Sequence, residues 1–159
     1  MTLEQKIKLR DEIVRFAKLQ HHKDYILRKR GPEYFDCAGL VYYVYKEIMG
    51  IDVFEGGYGL SYTTKIMTSP NGILTLIDEN EPNKNIDLLK KGDILLIHRQ
   101  DLKEIEPKKD NRYPGHCGIY IGNGKFIHAT KATYNVCISH IDQDNKWKKK
   151  LIGYKRIIK

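Results

Sequence analysis

The sequence predicts an α+β fold in which helices come first and an antiparallel sheet follows. Two observations carry this reading. The first fifty residues contain two stretches of helical periodicity, and from Asp93 onward short apolar runs alternate with turns and polar loops. A third observation bounds it: 159 residues suffice for one domain with a real core, whereas two cores would each be marginal. A single domain over 1–159 is therefore expected.

Taken in order, residues 2–20 place Leu3, Ile7, Ile13, Val14, Phe16 and Ala17 at near-helical spacing with charges between them, an amphipathic helix. A basic loop punctuated by Gly31-Pro32 follows. In "AGLVYYVYKEIMG", Leu40, Val41, Val44 and Ile48 share a helical face and Gly50 supplies a stop. This is the predicted central helix. Residues 51–91 are turn-rich and receive no firm assignment. "DILLIH" (Asp93 to His98) reads as a strand, and the polar stretch Arg99 to Gly115 is too long for a hairpin connection and is a candidate flap. "HCGIYIG" and "KFIHAT", joined through Gly122-Asn123-Gly124, form a hairpin. "NVCISHI" and "LIGYKRIIK" are two further strands, with the lysine-rich "DQDNKWKKK" between them.

Composition excludes several classes. Hydrophobic content of 41% with 30% charged residues argues against disorder and fibrous architecture. No stretch reaches the roughly 18 consecutive apolar residues of a membrane helix, and the charged N-terminus lacks the apolar core of a secretory signal. The formal charge of +8 favours polyanionic surroundings such as nucleic acid, anionic lipid or an anionic wall, without choosing among them. Cys37, Cys117 and Cys137 form an odd set without C-x-x-C spacing, so three thiols are expected, at least two of them structural, and no zinc site.

Chemistry concentrates around Cys37. It stands in the first turn of the central helix, where unpaired N–H groups and the positive dipole end favour a thiolate. Asp36 fits as the N-cap, accepting from Ala38 or Gly39, and these small residues would leave the sulfur's surroundings open. On this segment alone a buried structural cysteine remains an equal reading. Imidazoles come from the hairpin. With a two-residue Asn123-Gly124 turn, Ile119 opposes His128, and His116 and His128 lie on opposite faces; with a three-residue loop and Ile121 opposite Lys125, the histidines lie diagonally on one face. The second register also gathers Cys117, Ile119, Ile121 and Ile127 on the opposite, core face. It yields a chain in which Cys37 attacks, His116 is the base and His128 orients it. His21, His22, His98 and His140 read as surface or satisfied residues.

At these residues the sequence resembles a family. "FDCAGLVYYVY", "KKGDILLI" and "HCGIYIGNGKFIHA" look like the signature blocks of the NlpC-type cysteine peptidases, papain-like bacterial and phage hydrolases that cut peptidoglycan stem peptides. The resemblance runs from about Tyr25 to the C-terminus, with 1–24 as a helical lead-in and 25–159 as the matching core. It implies a papain-like fold, Cys37 as nucleophile, His116 as base, His128 as third polar residue, and Tyr25 as an aromatic assisting the oxyanion. Peptidoglycan stems become the expected partner, through a thioester intermediate and with no cofactor. Where the family usually carries paired glycines after the aromatic, this chain has "YILRKRG", which implies a more basic pocket edge. Likeness to members encoded with phage tails implies synthesis in the cytoplasm and delivery to the wall by a particle or by lysis. Three competing readings stand beside it: a papain-like amidase or acyltransferase on a non-wall amide, a basic nucleic-acid-binding module suggested by "KWKKK", and a catalytically silent wall-binding domain. The basic residues show no nucleic-acid-binding motif, and a lysine run is usually a solvated loop.

Overall fold

The computed structural model describes residues 1–83, 85–99, 114–143 and 145–159. The flap expected between Arg99 and Gly115 falls almost wholly outside these residues. The predicted first helix is α1, Leu3–Lys18, opened by a reciprocal capping box between Thr2 and Gln5. Its apolar stripe buries Ile13, Val14 and Ala17. The central helix is α2, Cys37–Met49; Asp36 is its N-cap and Gly50, in the left-handed region, ends it.

The unassigned segment contains α3 (Tyr62–Thr68), strand β1 (Ile73–Leu76) and a 3₁₀ turn at Ile86–Leu88. The rest of the sheet follows as β2 (Ile94–His98), β3 (Pro114–Gly122), β4 (Lys125–Thr130) and β5 (Asn135–His140), then α4 (Asn145–Lys150) and β6 (Leu151–Arg156). The order is β1-β6-β2-β3-β4-β5, with every pairing antiparallel. The lysine-rich segment is thus the short helix α4 rather than a solvated loop. No described helix is long and apolar enough to cross a membrane.

Apolar residues cover both faces of the sheet. One face packs Ile94, Leu96, Cys117, Ile119 and Ile127 against α1, α2 and α3, while Leu95, Ile97, Phe126 and Tyr154 form a second cluster on the other. Double coverage explains why β2 reads as an unbroken apolar run instead of an alternating one. Two cations, Lys155 buried and Arg156 half-buried, tie the elements together. Lys155 donates to the carbonyls of Ile66, Met67 and Ser69 at the end of α3, and Arg156 makes a paired contact with the Asp93 carboxylate at 2.9 and 2.7 Å. The Tyr45 hydroxyl of α2 donates to the Gly92 carbonyl, joining the central helix to the turn before β2.

The β3–β4 hairpin corrects the predicted turn. Gly122 pairs with Lys125, so the loop has two residues, with Asn123 at φ 53° and Gly124 at φ 72°. The register nevertheless shifts between Tyr120 and Gly122, and beyond this bulge at Ile121 the pair Ile119↔Ile127 puts Gly118 level with His128. One extra residue in the strand, not in the turn, returns both histidines to one face.

Candidate active site

Asp36 organises the start of α2 with both carboxylate oxygens. Oδ1 accepts the Gly39 N–H at 2.7 Å and Oδ2 accepts the Arg28 N–H at 2.8 Å, which fastens the lead-in loop to the helix. Burial raises the Asp36 carboxyl pKa, as does the neighbouring charge of Cys37; the two backbone donors oppose the rise. Ala38 and Gly39 do not open the space around the sulfur. Ala38 is core, and a Cβ on Gly39 would stand 2.0 Å from the Lys29 carbonyl oxygen, so this glycine permits close backbone approach. Neither residue, nor Asp36, lines the cleft.

Cys37 is half-buried and meets the start of β3, its sulfur 3.9 Å from the Gly115 carbonyl oxygen. The strand shifts register there, between the pairs Ile97↔His116 and His98↔Pro114, a bulge of the kind that re-aims side chains. The thiol is held well below its ordinary pKa. The largest cause is a hydrogen bond from the Cys117 thiol; burial opposes it, and a hydrogen bond and charge from His116 and the Cys117 backbone N–H add to the lowering. Cys117 itself moves the other way because it is fully buried and faces the Cys37 sulfur; its interaction with Thr63 opposes the rise. Of the two thiols, Cys37 carries the charge, since it alone has the imidazole and the helix start. Cys117 lies in the core, as its strand face implied, and it also interacts with the Cys37 thiol. All three cysteines are free.

His116 Nε2 lies 2.7 Å from His128 Nδ1, and His128 Nε2 lies 2.9 Å from Ser139 Oγ. With Nε2 engaged by His128, Nδ1 is the His116 nitrogen left to interact with the Cys37 sulfur. Both contacts fit a neutral His128 that accepts at Nδ1 and donates from Nε2 to Ser139. Burial drives the His128 pKa down to about 2, and the charges of His116 and Lys146 push the same way. Gly118 makes room for this pair: a Cβ there would meet His128 Cβ at 3.0 Å and the Ile127 carbonyl oxygen at 2.8 Å.

The sequence reading missed two members of the site. Ser139 lies two residues beyond Cys137, which is opposite His128, and so is a diagonal cross-strand neighbour. Trp147, from α4, stacks on His116 with ring centroids 5.8 Å apart and meets His128 edge-on at 5.0 Å. Its signal was being the chain's single tryptophan, set among lysines. His98, expected at the surface or satisfied in the core, lines the cleft.

Tyr25 also lines the cleft, and burial, with the charge of Cys37, pushes its phenol up to about 12. The cleft holds about 200 Å³. Its basic residues are not those of "YILRKRG": Arg30 stacks against Tyr42, Phe54 and Tyr62, each within 5.0 Å, and the cleft's cations are Arg99, Lys131, Lys146 and Lys150. Among the described residues, no three His, Cys, Asp or Glu side chains form a metal-binding group.

A cysteine that opens the central helix and faces a histidine-bearing antiparallel sheet defines the papain-like class. Within that class the chain belongs to the NlpC/P60 family, whose profile matches residues 22–156. It is 27% identical over 124 residues to the murein DD-endopeptidase MepH of Escherichia coli (strain K12), covering 78% of this chain and 36% of that protein. It is 30% identical over 124 residues to the gamma-DL-glutamyl hydrolase of Bacillus subtilis (strain 168), covering 78% of this chain and 23% of that one. The chain therefore spans well under half the length of these relatives. Among solved structures, NlpC1 of Trichomonas vaginalis shares the fold with a TM-score of 0.67 at 21% identity, over 93% of this chain and 44% of that one.

Proposed function

We propose that the chain is a thiol hydrolase that cleaves amide bonds in peptidoglycan peptide stems. The observation that carries this reading is the connected series Cys37, His116, His128 and Ser139: a lowered thiol pKa at a helix start, an imidazole on it, and two further groups fixing that imidazole. Family membership and the names of the two relatives, both hydrolases, support the substrate class.

The mechanism follows from the geometry. Cys37 attacks the carbonyl carbon as a thiolate while His116 holds the proton. Asp36 already occupies the Gly39 N–H with its carboxylate and the Leu40 N–H with its carbonyl. The N–H groups of Cys37 and Ala38 are then the ones that can receive the developing oxyanion, and Tyr25, protonated throughout the working pH range, is a second donor beside the sulfur. His116 gives its proton to the departing amine, and water then attacks the thioester with His116 as base. His128, neutral and buried, accepts from His116 Nε2 and leaves Nδ1 to the sulfur. Delivery to the wall by a phage-like particle is a proposal of the same kind, supported by the sequence analogy, and co-purification of the chain with such particles tests it.

The direct test is digestion of purified sacculi with analysis of the released fragments by mass spectrometry. The wild-type chain releases peptide fragments, and Cys37→Ala releases none while keeping its melting temperature. Release by the Cys37→Ala protein would overturn the assignment.

A further inference from the structure

The apolar stripe of α1 runs past the body on which it packs. Leu3, Ile7, Arg10, Val14 and Ala17 share one face through their alternating spacing of four and three. Val14 and Ala17 are core, whereas Leu3 is 72% exposed and Ile7 52%. Arg10 marks the boundary, buried and donating from its guanidinium to the Ile158 carbonyl. The overhanging Leu3 and Ile7 line a groove of about 530 Å³ together with Lys6, Lys90, Lys91 and Lys159. Asp11, the one carboxylate side chain in this lining, is tied to Lys91 at 3.0 Å. Lys6, Lys90 and Lys159 have no side-chain ion pair among the described residues. With Arg10 the lining holds five cations against Asp11 and, at most, an α-carboxylate at Lys159. The groove lies at the opposite end of the sheet from the cleft. Lys90 and Lys91 lead into β2, whose far end, His98, lines the cleft, and β6 runs from beside Lys150 at the cleft toward Lys159 at the groove. The strands that flank 100–113 pair at the cleft end, through His98↔Pro114.

This lining selects its occupant. A second copy of the chain would set like charge against like. A soluble polyanion would satisfy the lysines and leave Leu3 and Ile7 in water. An anionic bilayer surface answers both features, because its headgroup phosphates attract lysines while its acyl boundary takes up apolar side chains. We propose that the groove docks the chain on an anionic lipid bilayer, with Lys6, Lys90 and Lys159 on headgroup phosphates and Leu3 and Ile7 in the interface. The docked chain holds its cleft away from the lipid, since β2 and β6 separate the two, so a bound molecule can still take substrate. Docking goes beyond the hydrolase reading and does not depend on it.

The test is co-sedimentation of the chain with vesicles of equimolar phosphatidylglycerol and phosphatidylcholine, against vesicles of phosphatidylcholine alone. The wild-type chain is expected to partition onto the anionic vesicles and to bind the zwitterionic ones about a hundredfold more weakly, at about fivefold for each of three lysines. Lys6→Gln/Lys90→Gln/Lys159→Gln should lose that preference, and added salt should weaken it by screening. Lys6→Arg/Lys90→Arg/Lys159→Arg should retain it, which separates a charge effect from loss of fold. Leu3→Ser/Ile7→Ser should bind the anionic vesicles about tenfold more weakly, through lost apolar burial, with its melting temperature unchanged. Inorganic polyphosphate should compete poorly, since it offers no apolar phase. Equal binding to the two kinds of vesicle, or binding unchanged in the glutamine or the serine variants, would overturn the proposal. Displacement by polyphosphate at phosphate equal to that of the lipid would overturn it too, in favour of a soluble polyanion.

Discussion

Replacing Cys117 by valine removes the S–H donor from the Cys37 sulfur while nearly conserving volume in the core. A hydrogen bond to a charged group contributes about 1.5–3 kcal/mol, and a thiol, a weak donor, belongs at the low end. One pKa unit corresponds to about 1.4 kcal/mol. The thiolate should therefore lose about 1.5 kcal/mol of stabilisation in Cys117→Val and the Cys37 pKa should rise, while His116 and the Cys117 backbone N–H still stabilise the charge. Cys117→Ser keeps a donor, with Thr63 as its neighbour, and should stay near the wild-type value. The assay is the rate of iodoacetamide alkylation at Cys37 as a function of pH, resolved by peptide mass spectrometry because Cys137 is also a free thiol. A midpoint that stays put in Cys117→Val, with melting unchanged, would refute the view that the second thiol poises the first.

The buried histidine makes acid stability predictable. His128 has a folded pKa near 2 against 6.5 when exposed, so below pH 6.5 the unfolded chain binds a proton that the folded chain does not. Stability should fall on acidification, with a slope that approaches about 1.4 kcal/mol per pH unit below pH 6.5, roughly 2 kcal/mol between pH 6.5 and 4.5. Urea unfolding at these two pH values should show a smaller loss in His128→Gln; an identical slope would contradict the assignment. At the helix start, Gly39→Ala puts a methyl group 2.0 Å from the Lys29 carbonyl oxygen. A loss of about 2–3 kcal/mol is expected, lowering the melting temperature by roughly 5–10 °C, and an unaltered Tm would show that the loop can yield.

Much of the fold was legible because it rests on local patterns. The capping aspartate, the left-handed Gly50 and the apolar faces of α1 and α2 are properties of single segments. Residues 51–91 were not legible: α3 is short, and its end is held by Lys155, which is far away in sequence and buried where a lysine is rarely found. The hairpin shows the limit most clearly. Placing both histidines on one face was correct, yet the reason was misplaced, because a bulge at Ile121 changes facing parity as effectively as an extra loop residue does. Short-range pattern cannot distinguish the two.

The amino-acid sequence alone determined the class of fold, the helix that presents Cys37 and the pair of imidazoles that share a strand face, since spacing and capping are set within a few residues. Only the tertiary structure decided what surrounds them: Ser139 beyond His128, the Cys117 thiol on the sulfur, and Trp147 with its lysines over the histidines. Each of these contacts joins segments distant in the chain, and it exists because strand pairing and the packing of both sheet faces bring those segments together.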